Sequence, residues 1–78
     1  MEQKPFKIDP KLPIGKQVAD ALGKMKLSFG NRRQLKIADY LKRIQIDESK
    51  KMNEGRRKEI LWYARQAEAL INEETKSV

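Results

Sequence analysis

Apolar residues return every three to four positions over most of this chain, in three separate sets. The clearest lies between 55 and 72, where Ile60, Tyr63, Ala64, Ala67, Leu70 and Ile71 fall on one side of a helix at about 100° per residue. Ahead of it, Ile37, Ala38, Leu41 and Ile44 share a face, with Tyr40 at its edge and Arg32, Lys36, Asp39 and Arg43 along the opposite side. Nearest the start, Ile14, Val18, Ala21, Leu22, Met25 and Phe29 line up, with Lys16, Asp20, Lys24 and Lys26 outside the stripe. The spacing predicts helices over 14–29, 32–46 and 49–74.

Local signals set the ends. Pro13 suits a first helical turn, where its missing N–H costs nothing. Gly30 follows the last periodic residue of the first set, as a left-handed C-terminal cap would, whereas Gly23 inside that set weakens a helix by about 1 kcal/mol relative to alanine. Asn31 can cap the second helix through its side-chain oxygen. Asp47 or Ser49 can open the third. If Gly55 divides that helix, Asn53 becomes its cap, and Arg56 and Arg57 become first-turn residues whose backbone N–H groups can face an anion.

Pro5, Pro10 and Pro13 all fall in residues 1–13, which rules against a helix there and predicts an extended arm, with Phe6 and Ile8 alternating with Lys7 and Asp9. The expected architecture is therefore all-α: a small three-helix bundle with an extended Pro-rich N-terminal arm at 1–13 and a single helical domain at 14–78. At 78 residues the core is thin, because a domain of this size buries only about 60% of the surface its unfolded chain exposes. A homodimer would relieve that shortage.

Charge changes the picture most. The chain carries 18 Lys and Arg against 11 Asp and Glu, a net +7, which favours an anionic partner. Between 31 and 65 basic residues outnumber acidic ones by more than two to one, while Glu68, Glu73 and Glu74 gather near the end. On the third helix this order opposes the helix dipole, which favours anions at the N-terminus and cations at the C-terminus by roughly 0.3–1 kcal/mol per exposed charge. Something beyond that helix's own stability has to account for it, and a phosphate-bearing partner is one candidate.

Histidine and cysteine are absent, which removes the commonest general base, thiol nucleophiles, disulfides and thiolate metal sites. Asp20, Asp39, Ser28 and Ser49 show no catalytic spacing, and there is no Gly-rich phosphate loop. No enzyme activity, cofactor or metal is expected. With no apolar run of signal-peptide or membrane-spanning length, the chain reads as cytoplasmic, with no membrane partner.

The leading expectation is a small regulatory protein that binds nucleic acid, DNA ahead of RNA, with Arg32, Arg33, Lys36, Arg43, Lys50, Lys51, Arg56, Arg57 and Lys58 contacting phosphates. The run from Gln34 to Leu41 looks like the first helix of a helix-turn-helix unit, but no apolar pattern for a recognition helix follows it. The order of arm, helix, Gly30-Asn31 turn and helix is similar to a ribbon-helix-helix protein, although prolines flank the few alternating residues. The competing expectation is a helical protein-interaction module, an adaptor or inhibitor, anchored by Phe6, Ile8, Trp62 and Arg65. Trp62 lies off the main apolar face among Lys58, Arg65 and Gln66, where it can stack on a base, anchor a partner or be covered as core.

Overall fold

Three helices are present in the computed structural model, which describes residues 5–25 and 30–76. They are α1 (Ile14–Gly23), α2 (Arg32–Glu48) and α3 (Glu54–Lys76). Their buried faces meet in one core. α3 supplies Ile60, Ala64, Ala67 and Ile71, α2 supplies Ile37 and Ile44, and α1 supplies Ile14 and Val18. The small side chains of Ala64 and Ala67, both fully buried, let the neighbouring helices approach α3 closely. The predicted three-helix bundle is thus the observed one.

Two helix boundaries differ from the periodicity by more than two residues. α1 ends at Gly23, and the N–H of Lys24 already closes the turn onto the carbonyls of Asp20 and Ala21, at 3.2 and 3.3 Å. A side chain at Gly23 would meet nothing within 4 Å, so no packing offsets the low helix propensity of glycine there. Met25 still reaches the core from beyond the helix end. The predicted continuation over 26–29 lies outside the described residues. Gly30 does adopt a left-handed φ of 86°, but it precedes α2 and does not cap α1.

The second difference is the start of α3. Asp47 lies within α2 and Ser49 closes its C-terminus, its hydroxyl donating to the Ile46 carbonyl at 2.7 Å. The third helix therefore begins at Glu54, with Asn53 before it as the cap, and runs unbroken through Gly55. Asn53 accepts the Arg56 N–H on its side-chain oxygen at 2.8 Å, and its carbonyl accepts the Arg57 N–H at 3.0 Å. Asn31 caps α2 in the same way, accepting the Gln34 N–H at 3.1 Å. On α2, Ala38 is exposed, and Gln34 and Asp47 are buried instead.

The arm is fastened to α3 by side chains rather than by another strand. Asn72 accepts the Phe6 N–H at 2.7 Å and donates to the Phe6 carbonyl at 3.0 Å, and Glu68 accepts the Ile8 N–H at 2.8 Å. Residues 68 and 72 are one helical turn apart and so present neighbouring side chains, while Phe6 and Ile8 point to one side of an extended segment. Both apolar side chains pack on the core. Gln17 fixes the bend into α1, accepting from Asp9 N–H at 2.8 Å and donating to the carbonyls of Asp9, Leu12 and Pro13.

Asn72→Ala removes both bonds to Phe6 and is expected to cost about 1–2 kcal/mol in urea denaturation, with faster amide exchange at Phe6 and Ile8 as its specific signature. Asp47 is 9% exposed, and its Oδ2 has no hydrogen-bond partner. As an anion in the last turn of α2 it also opposes that helix's dipole. Asp47→Asn is accordingly expected to stabilise the fold by about 1 kcal/mol, measured the same way.

Candidate functional site

α2 and α3 form an antiparallel hairpin, and that topology decides where the basic residues go. Arg32, Arg33 and Lys36 open α2 and so lie beside the end of α3, where Arg33 meets Glu74 at 3.0 Å and Glu73 at 3.6 Å. Lys50, Lys51, Arg56, Arg57 and Lys58 lie at the other end, around the loop between the two helices. The 17 residues of α2 put about 25 Å between these groups. The expected basic residues do not form one patch; they form two, with Arg43 between them.

Several of the charges that oppose their own helix's dipole are explained by what lies beside them. Glu73 and Glu74, at the C-terminal end of α3, stand against the N-terminus of α2, where an anion is favoured. Glu74 accepts from the Asn31 amide at 2.9 Å as well as from Arg33. Arg56 donates to the Lys51 carbonyl just beyond the C-terminus of α2. Glu48, in the last turn of α2, accepts the Gly15 N–H at 3.3 Å and so caps α1, whose first turn has no side-chain cap of its own. Gly15 makes room for it, because a Cβ there would collide with Glu48 Oε1. None of these charges requires a phosphate.

What remains is a set of outward cations. Among the described residues, Arg32, Lys36, Lys50, Lys51, Arg57 and Arg65 engage no carboxylate. Lys58 meets Glu54 at 3.9 Å with both side chains more than three-quarters exposed, a pair of little strength. Arg43 pairs with Asp39 at 3.3 Å and stands 5.9 Å from the centre of the Tyr63 ring, within cation–π range. Hydrogen bonding to Tyr63 first, and to Asp39 second, raises its pKa above the ordinary arginine value.

Trp62 belongs to an aromatic cluster on the same side of the hairpin. Its indole meets the rings of Tyr40 and Tyr63 edge to face, with centroids 6.3 and 5.4 Å away, and Tyr40 and Tyr63 lie 5.9 Å apart. Both tyrosines are half-buried, whereas Trp62 is 56% exposed and is not core. Of the residues expected to anchor a partner, Trp62 and Arg65 face solvent, while Phe6 and Ile8 are occupied on this chain's own third helix.

Sequence reasoning passed over one further feature. An apolar notch of about 240 Å³ opens at the loop end of the bundle, lined by Leu12, Pro13, Met52, Ile60 and Leu61 with Glu48 and Arg57 at its edge. Its signal was faint: Leu12 and Met52 fit no helical stripe, and both are about half exposed. No helix among the described residues is long and apolar enough to cross a membrane.

No protein-family model, curated protein or solved structure matches this chain. The class defined by fold and surface is a small all-α bundle with outward cations and one exposed aromatic cluster.

The two arginines that open α2 separate structure from surface. Arg33→Ala is expected to lower stability by about 1 kcal/mol by releasing Glu74, whereas Arg32→Ala should change it by less than about 0.5 kcal/mol; thermal denaturation of the two variants side by side reads the difference.

Proposed function

We propose that this protein binds nucleic acid, DNA ahead of RNA, in a regulatory role and a cytoplasmic setting, and that its outward cations contact phosphates. One observation carries the reading. Among the described residues, most acidic side chains are committed within the fold, on backbone N–H groups, on Asn31 or in ion pairs, while most of the basic ones are not. Among the described exposed carboxylates, Asp20 and Glu59 alone have no such partner. Among the described residues the unengaged charge that faces solvent is thus mainly basic, carried on mobile lysine and arginine side chains, the form in which counterion release from a polyanion is gained. The loop end contributes Lys50, Lys51 and Arg57, Arg56 being held on the Lys51 carbonyl. The start of α2 contributes Arg32 and Lys36.

A protein-interaction module is the second reading. The apolar notch with exposed Leu12 and Met52 favours it, since apolar pockets with charged rims seat the anchors of partner proteins.

Fluorescence anisotropy with labelled DNA and RNA across a salt series tests the first reading. Binding is expected to weaken steeply with salt. Replacing Lys50, Lys51 and Arg57 together by alanine should flatten the log–log slope by roughly 0.9 for each duplex phosphate that is no longer neutralised. An unchanged slope would remove the loop end from the interface. No binding at low salt would overturn nucleic-acid recognition and leave the second reading standing.

A further inference from the structure

We infer that Trp62 is a stacking platform for one base of a single-stranded nucleic acid, with Lys58 and Arg65 on the flanking phosphates; this rests on the reading of the protein as a nucleic-acid binder. Tyr40 and Tyr63 meet the indole at 79° and 78°. They buttress it edge to face, and neither lies parallel to it, so parallel stacking by an incoming ring is not pre-empted by a neighbour. The buttress is itself held, because Arg43 sits against Tyr63 and is tied to Asp39. A rigid aromatic plate with more than half its surface in solvent is thereby presented at little further cost in ordering.

Its surroundings suit a nucleotide strand better than an apolar partner. Lys58, Trp62, Arg65 and Ala69 follow one line on the exposed face of α3, and Lys58 to Arg65 spans about 10 Å along the axis. No carboxylate lies on that line between them. The carboxylate that pairs with Lys58, Glu54, is held loosely at 3.9 Å, an ion pair that a phosphate can displace; Glu59 lies to one side of the line and pairs with neither cation. A cation, an aromatic plate and a second cation in a row is the arrangement that lets a single strand lay its backbone along a groove edge and turn a base onto a ring. A duplex keeps its bases paired and stacked inside, so it can use the cations but not the plate unless a base is extruded at a cost of a few kcal/mol.

The test is anisotropy with a labelled oligothymidylate and a duplex of the same length at one salt concentration, with indole emission recorded in parallel. The wild-type protein should bind the single strand more tightly, with Trp62 emission quenched by that strand alone. Trp62→Ala should weaken oligothymidylate binding by about tenfold and leave duplex binding within about twofold, while Trp62→Phe should retain most of the single-strand affinity. The site is exposed, and circular dichroism will show all three proteins equally helical. Equal affinity of wild type for single strand and duplex, unaffected by Trp62→Ala, would overturn the stacking site while leaving phosphate binding intact. No binding of either ligand at low salt would overturn both.

Discussion

Antiparallel packing places each end of a helix beside the opposite pole of its neighbour, and the distribution of charge in this protein follows from that. Glu73 and Glu74 would destabilise the end of α3 in isolation, yet against the first turn of α2 they meet Asn31 and Arg33. Glu48 is misplaced for α2 and well placed for α1, where it reaches the Gly15 N–H. A domain of this size has little apolar area to bury, and it supplements a core that numbers eight buried apolar side chains among the described residues with such end-to-end exchanges. Because helix-end interactions fall off within a turn, they also fix which ends lie together and so reinforce the order of the bundle.

The same device separates the two signs of charge by role. Carboxylates are the natural partners of unpaired backbone N–H groups at helix starts and along an extended arm, and here Asp9, Glu48 and Glu68 are used in that way. Ammonium and guanidinium groups have fewer such duties, so they extend into water on long stems. A modest excess of basic residues in the composition becomes a larger excess of unengaged basic groups at the surface.

Helix number, the core stripe of α3 and the two asparagine caps were legible because each depends on residues close in sequence. Asn31 and Asn53 act on N–H groups three residues away, well within the range of local pattern. The end of α1 was not legible: the apolar period runs on through Met25, and only the open space around Gly23 shows that no packing supports the helix beyond it. Nor was the division of the basic residues into two groups, since Arg33 and Arg56 fall in one basic region of the sequence until the hairpin sends them to opposite ends. The roles of Glu68 and Asn72 were not legible either, because their partners lie sixty or more residues away. The aromatic site was half legible: the position of Trp62 off the core could be counted, but its buttressing by Tyr40 required α2 to be in place.

The arm has a consequence for the order of events in folding. Phe6 and Asn72 are separated by 66 residues, whereas most of the bundle is assembled from helices that follow one another along the chain. Contacts of such long sequence separation carry the largest loop-closure cost and tend to form late. The arm leaves the ribosome before α3 exists, so during synthesis Phe6 and Ile8 have no helix to cover and Glu68 and Asn72 are not yet made. The arm, made before α3, is thus among the last segments of the bundle to be placed, and it docks only once α3 has been made as far as Asn72.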